Sequence, residues 1–375
     1  MKYLSDELPH YLALERFIES GACGKLLHQE KNALFHVPEH FASFESIGIE
    51  IARQLSVDEK KLPPLPETLP TRYDNPFSYR IVERLIRRLK NTCQLLGVSA
   101  DKFPPFACIP TGVINAYAAN VPGSDNKFLL FDSQVFFFCN LWSKVLATAQ
   151  PIVDIGSKVS TSTDILLVRN YLESNPTPVV RLRELLHASI SSSPSDAPPY
   201  LPNPNYVPLI SLLRDSMELF IVAHEFGHVY AGHLGPLLAA IPKGANELLS
   251  DANQEQRMEY EADAIALLLT MRCLAREGLD FALSYIGPYM FFSGLDILEK
   301  YAVRIYGPSE NCEPSEHPSN ANRQKMLNEM AGIFVEVPEM EMALKLQKSF
   351  ACLVKELDSR LGVMIDNEKR INAQS

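Results

Sequence analysis

The feature that most restricts this chain is a pair of histidines, His224 and His228, set four residues apart in a strongly apolar stretch from Leu209 to about Leu237. Such a stretch predicts a helix buried in a core. Four helical residues turn through about 400°, so the two imidazoles face the same way, one turn apart. Ile221-Val222-Ala223 precede them and argue for burial. Imidazoles and a carboxylate without partners are costly to bury. Glu225 stands beside the first histidine, which completes His224-Glu225-Phe226-Gly227-His228, an HExxH pattern. The fold therefore has to bring further polar groups, or a metal ion, to this helix face.

Zinc accepts imidazole nitrogens readily, and a site with three protein ligands keeps one position open for water. Glu225, one position on from His224, reaches such a water better than it reaches the metal. A third ligand is then required, and a ligand histidine needs an acceptor behind it to fix its tautomer. Arg257-Met258-Glu259-Tyr260-Glu261-Ala262-Asp263 opens a second apolar helix, expected over Met258–Cys273. Glu259 and Asp263 are four apart and share a face. Glu259 is preferred as the third ligand, with Asp263 accepting from a ligand histidine. Glu261 points about 200° away and is the less favoured alternative. His233 comes five residues after His228, and Gly232 is at the wrong offset for a three-histidine site, so His233 is read as a helix-end histidine.

Composition sets the rest of the frame. Hydrophobic residues make up 46% and charged residues 21%, the balance of a globular chain with a full core. Lys and Arg number 35 against 45 Asp and Glu, a formal charge of −10, which gives no footing for nucleic-acid binding. Seven scattered cysteines without a CxxC pair fit free thiols in a reducing compartment. The apolar runs Phe128–Leu146 and Phe281–Leu298 are each interrupted, the second by Gly287-Pro288 and Asp296, so no membrane insertion is expected. The first residues lack the basic-then-apolar order of a signal peptide, and the expected location is cytoplasmic.

Periodicity gives helices over Tyr11–Ile18, Phe44–Leu55 and Arg80–Leu96, with Pro63-Pro64-Leu65-Pro66 as a stiff linker. Gly112–Ala119 and Lys127–Phe131, separated by Pro122-Gly123-Ser124-Asp125-Asn126, read as strand, turn, strand. Phe136–Leu146 reads as a buried helix or strand and Thr161–Leu186 as helical. Ser191–Pro208 is a long loop, and Glu339–Leu361 an amphipathic helix. The fold class is α+β, mainly helical. A helical region over 1–103 precedes a domain over 104–337, with a Pro/Ser-rich insertion near 148–208, and a helix and tail over 338–375.

The motifs resemble those of gluzincin peptidases of the HtpX and CAAX-prenyl-endopeptidase type. His224 to His233 is similar to that family's HExGHxxxxH helix, and Glu259 to Asp263 to its ExxAD helix. His317-Pro318-Ser319-Asn320-Ala321-Asn322-Arg323 resembles its later HPxxxxR motif. Val113-Ile114-Asn115-Ala116-Tyr117-Ala118 resembles the strand that opens its catalytic domain. The resemblance covers roughly residues 110–330 and implies a zincin-like domain with Zn2+ on His224, His228 and Glu259. It also implies a sheet-edge strand at Asn115, Ala116 and Tyr117 that binds substrate backbone, and catalytic or orienting roles for His317 and Arg323. The chain departs from the family in lacking its membrane helices, and a long segment separates strand from motif helix. A looser resemblance is to the soluble phage-exclusion peptidases of the Lit type.

The expected function is a zinc-dependent endopeptidase acting on a protein or peptide substrate, with Glu225 as general base. Two alternatives stand beside it. One is a regulated phage-defence or stress protease with the same chemistry. The other is a catalytically silent, zinc-containing module that binds peptides or proteins.

Overall fold

The computed structural model describes residues 2–21, 66–99, 103–155, 158–232, 253–307 and 318–374. The expected helix over Phe44–Leu55, most of the proline linker, and His233 and His317 lie outside the described residues. The chain divides into two compact units, Met1–Phe137 with Pro199–Pro204, and Phe138–Pro198 with Asn205–Ser375. The expected divisions after residues 103 and 337 each fall inside one of these units.

The first unit holds a three-stranded sheet of β3 (Phe106–Ile109), β5 (Lys127–Asp132) and β4 (Ala116–Asn120), with β5 in the middle. A short parallel pair, β1 (Lys2–Tyr3) with β2 (Thr68–Leu69), lies in the same unit. β3 runs parallel to β5 and β4 antiparallel, with Tyr117 opposite Leu130 and Ala119 opposite Phe128. The turn between β4 and β5 needs a left-handed residue, and Gly123 supplies it at φ +83°. Phe128 and Leu130, two apart on one face of β5, pack with Tyr11, Leu14 and Ile18 of α1 (Pro9–Glu19). α2 (Pro76–Leu95) starts four residues before the expected Arg80: the Asn75 side chain accepts from the amides of Phe77 and Ser78, and Pro76 takes the first helical position. It buries Val82, Leu85, Ile86, Leu89 and Cys93, while Arg84 and Arg87 face out.

Two buried aspartates tie this unit's loops. Asp132 Oδ2 accepts from the Thr111 amide and hydroxyl and the Gly112 amide, and its Oδ1 accepts from Gln134 N. Asp74 Oδ2 accepts from the Thr71 amide and hydroxyl, and its Oδ1 from Cys108 N on β3.

The second unit is mainly helical. It takes in most of α3 (Ser133–Thr148), the hairpin β6 (Ile152–Ile155) and β7 (Lys158–Thr161), α4 (Ile165–Ser174) and α5 (Thr177–Ser191). The helical stretch expected from Thr161 to Leu186 is thus two helices. Pro176 keeps Asn175 out of the helical region (φ −130°, ψ 90°) and ends α4. The loop expected over Ser191–Pro208 is the segment between α5 and α6 (Val207–Ala231), which carries two short 3-10 turns. α7 (Gln254–Arg276), α8 (Phe281–Tyr306), α9 (Asn320–Phe334) and α10 (Val337–Gln374) follow. α6 packs most extensively on α7, and α8 lies against α6, α7, α9 and α10.

Among the described residues, only α8 is long and apolar enough to cross a membrane by length and composition, and 61% of its apolar window is buried. Its Tyr285, Ile286, Met290, Phe292 and Ile297 are core residues. Gly287-Pro288 does not break the helix. Pro288 has no N–H for the Ser284 carbonyl, and Ser216 Oγ of α6 donates to that carbonyl instead, at 3.0 Å. Gly287 makes room for it, since a Cβ there would lie 2.3 Å from Ser216 Oγ. Cys93, Cys108, Cys139, Cys273 and Cys352 are thiols, the first four buried. The described chain is α+β and mainly helical, with small sheets.

Candidate metal centre

The site is built where α6 crosses α7. The crossing is close because residue 227 is glycine: a Cβ there would stand 3.0 Å from the Ala262 carbonyl oxygen and 3.1 Å from its Cα. α7 begins with a reciprocal cap, Asn253 accepting from the Gln256 amide and the Gln256 side chain from the Asn253 amide. That start sets the phase of the helix and turns Glu259 and Asp263 toward the histidines of α6.

His224 Nε2 and His228 Nε2 lie 3.0 Å apart. Glu259 closes the triangle, Oε1 at 3.3 Å from His228 Nε2 and Oε2 at 3.5 Å from His224 Nε2. Donors about 2.0–2.1 Å from a tetrahedral zinc stand about 3.3 Å from one another. The three separations therefore fit a single ion, and two imidazoles with one carboxylate are a donor set that zinc takes. On its other side, His224 Nδ1 faces Asp263 Oδ1 at 2.9 Å. That contact holds the ring proton on Nδ1 and leaves the Nε2 lone pair for the cluster. Glu225 is 5% exposed, and its Oε2 is buried without a hydrogen-bond partner among the described residues. A buried carboxylate oxygen left this way fits a centre with an ion or a polar reactant beside it.

Arg323, one turn into α9, completes the cluster. Its Nε and Nη2 donate to Asp263 Oδ2 and Oδ1 at 2.8 and 2.6 Å, a forked pair. Its Nη1 lies 3.2 Å from Glu259 Oε2. The guanidinium carbon sits 4.4 Å over the ring of Phe292 from α8. The Ser319 hydroxyl, accepting from Asn322 N, caps α9 and fixes where Arg323 falls on it.

These contacts set the charge states. Burial opposes protonation of His224, but the hydrogen bonds with Asp263 and Glu259 outweigh it and hold the imidazole at about 9. Burial also raises Glu259, yet the two imidazoles and Arg323 hold it below the ordinary carboxylate range. Asp263 is lowered in the same way, with Arg323 the largest opposing influence to burial. Glu225 is pushed up by burial, against the pull of both imidazoles. In the metal-free cluster a protonated His224 offsets the acids around it; a cation held by the Nε2 atoms would displace that proton and take over the balance.

His224, Glu225, His228, Glu259, Asp263 and Arg323 are thus brought together, while Glu261 is outside the cluster and has its carboxyl raised by burial. His317 lies outside the described residues. Ala116 and Tyr117 lie on β4, an edge strand among the described residues, with Asn115 just before it. They belong to the first unit and the metal cluster to the second. Phe292 and Ser319 carried no signal as site residues. An apolar residue in an apolar helix and a serine after a proline have too many ordinary uses. Comparison of the chain with protein-family models, with curated proteins and with solved structures brought no match.

Proposed function

We propose that the chain is a zinc-dependent endopeptidase of gluzincin type, acting in the cytoplasm on a protein or peptide substrate. The observation that carries this reading is the convergence of His224, His228 and Glu259 on one point, with the buried Glu225 beside them. A structural zinc site has no use for a non-ligating carboxylate oxygen held without a hydrogen-bond partner next to the ligands. A catalytic one does, as the base.

His224, His228 and Glu259 would hold the ion. When bound, zinc polarises the scissile carbonyl and makes water acidic enough to be deprotonated near neutral pH. Glu225 takes the proton of the attacking water and hands it to the leaving nitrogen. Asp263 keeps His224 in the tautomer that binds. By the resemblance, an extended peptide would add to the edge strand β4 at Ala116 and Tyr117, while the Asn115 N–H and C=O are already bonded to Val113 and Asp132. Arg323 gives its donors to Asp263 and Glu259, so its role in this reading is to position the ligand helix.

Glu225→Gln tests the proposal. The variant is expected to keep its circular dichroism and about one zinc per chain by elemental analysis. Its hydrolysis of an unfolded generic protein is expected to fall by at least about 100-fold, the scale of a lost general base. Undiminished hydrolysis in Glu225→Gln sinks the mechanism. Zinc without hydrolysis in the wild type favours the binding module.

A further inference from the structure

We infer that Arg323 and Phe292 form a positioning pair that sets the metal affinity of the centre from outside its ligand helices. The inference rests on the metal-centre reading and goes beyond it, since neither residue ligates.

Three features of the geometry carry it. First, one guanidinium holds both acids of α7: the forked pair to Asp263 at 2.8 and 2.6 Å, and Nη1 at 3.2 Å from Glu259 Oε2. Glu259 Oε2 is the oxygen that faces His224. The ligand carboxylate is therefore oriented by Arg323 before any ion arrives. Second, the guanidinium carbon lies over the Phe292 ring, 4.4 Å from its centroid, a contact that favours this placement of the group. Phe292 is wholly buried and packs edge-on against Phe220 at 5.7 Å, one turn before His224 on α6. Phe292 thus touches both Arg323 on α9 and Phe220 on the motif helix. Third, Arg323 offsets one of three carboxylate charges crowded at the centre. Without it, Asp263 is a buried carboxylate facing His224, and Glu259 loses a restraint.

A lysine would keep the charge but not the fork, because an ammonium is a point donor. The two contributions can therefore be separated. Metal-free wild type, Arg323→Lys and Phe292→Leu are compared by zinc competition with a chelating dye, and by the visible spectrum of bound Co2+. Circular dichroism and thermal unfolding of the metal-free proteins control for the fold. Loss of a partner behind a metal ligand costs about 10–100-fold in affinity, and that is the expected weakening in Arg323→Lys, with a weaker or shifted tetrahedral Co2+ band. Phe292→Leu retains every charge and is expected to lose affinity by several-fold with an intact metal-free fold. It also covers the case in which Arg323→Lys does not fold. Zinc dissociation constants within twofold of wild type in folded Phe292→Leu and Arg323→Lys overturn the inference. If instead the wild type takes up no zinc at all, the metal-centre reading itself fails. Wild-type zinc binding without hydrolysis removes the peptidase reading and leaves this pair standing.

Discussion

At the scale of single residues, the centre separates side chains that touch the ion from those that aim them. Glu259 has both carboxylate oxygens toward imidazole nitrogens, whereas Glu261, two residues on, is outside the cluster. Zinc analysis of purified protein should therefore give about one ion per chain in the wild type and in Glu261→Ala, and little in Glu259→Ala. Equal loss in the two variants would mean that the acids of α7 act only through general charge. The sequence makes His224, Glu225 and His228 legible because a helix forces positions four apart onto one face. It makes Glu259 and Asp263 legible for the same reason, once a second helix is granted. Arg323 is different. Nothing in its own neighbourhood points to the centre, and only the resemblance of His317 to Arg323 to a known motif singled it out. Phe292 was not legible, because periodicity says that it is buried and not what it is buried against.

At the scale of elements, glycines decide which helices meet. Gly227 lets α7 lie against α6 with no side chain between the backbones, and that closeness places Glu259 within reach of the histidines. Gly227→Ala would put a methyl about 3.0 Å from the Ala262 carbonyl, a backbone atom that cannot turn aside. The expected cost is about 1–3 kcal/mol of stability, the usual range for overpacking. The helices should also part by enough to weaken zinc binding, so that urea unfolding and dye competition both move. A variant with lowered stability and unchanged zinc affinity would show that the crossing does not set the ligand geometry. The same logic explains where element-level reading failed. Pro288 does not end α8, because Ser216 on another helix replaces the donor that proline lacks. Pro176 has no such help and ends α4. One chain-local signal thus had two outcomes, because tertiary contacts decide the second step.

At the scale of the whole molecule, Glu259 and Asp263 of the second unit and Asp74 and Asp132 of the first are shifted in opposite directions, and pH should act on them differently. In the second unit, Glu259 and Asp263 are held below the ordinary carboxylate range by the groups around them. In the first unit, burial pushes Asp74 up to about 7 and Asp132 up to about 6, against the hydrogen bonds they accept. A carboxyl whose folded pKa is raised gives a contribution to stability that is complete below its unfolded value of 3.8 and is lost as pH climbs toward the folded value. The first unit should accordingly lose stability between about pH 4 and 7 and level off above that. Trp142, the one tryptophan of the chain, lies in the second unit, so its fluorescence does not report this directly. Hydrogen exchange of the β5 amides does. Their opening free energy should fall from pH 5 to pH 7.5, once exchange chemistry is corrected for pH. Asp74→Asn should lower it at pH 5, where an amide group cannot accept from both Thr71 and Cys108 as well as a carboxyl does. It should also flatten the slope, because the group that ionises most unfavourably is gone. The Trp142 unfolding midpoint should keep its own pH dependence in that variant. A β5 slope as steep in Asp74→Asn as in the wild type would assign the pH response to other groups, and Asp74 would then be an ordinary ionised anchor of the Thr71 turn.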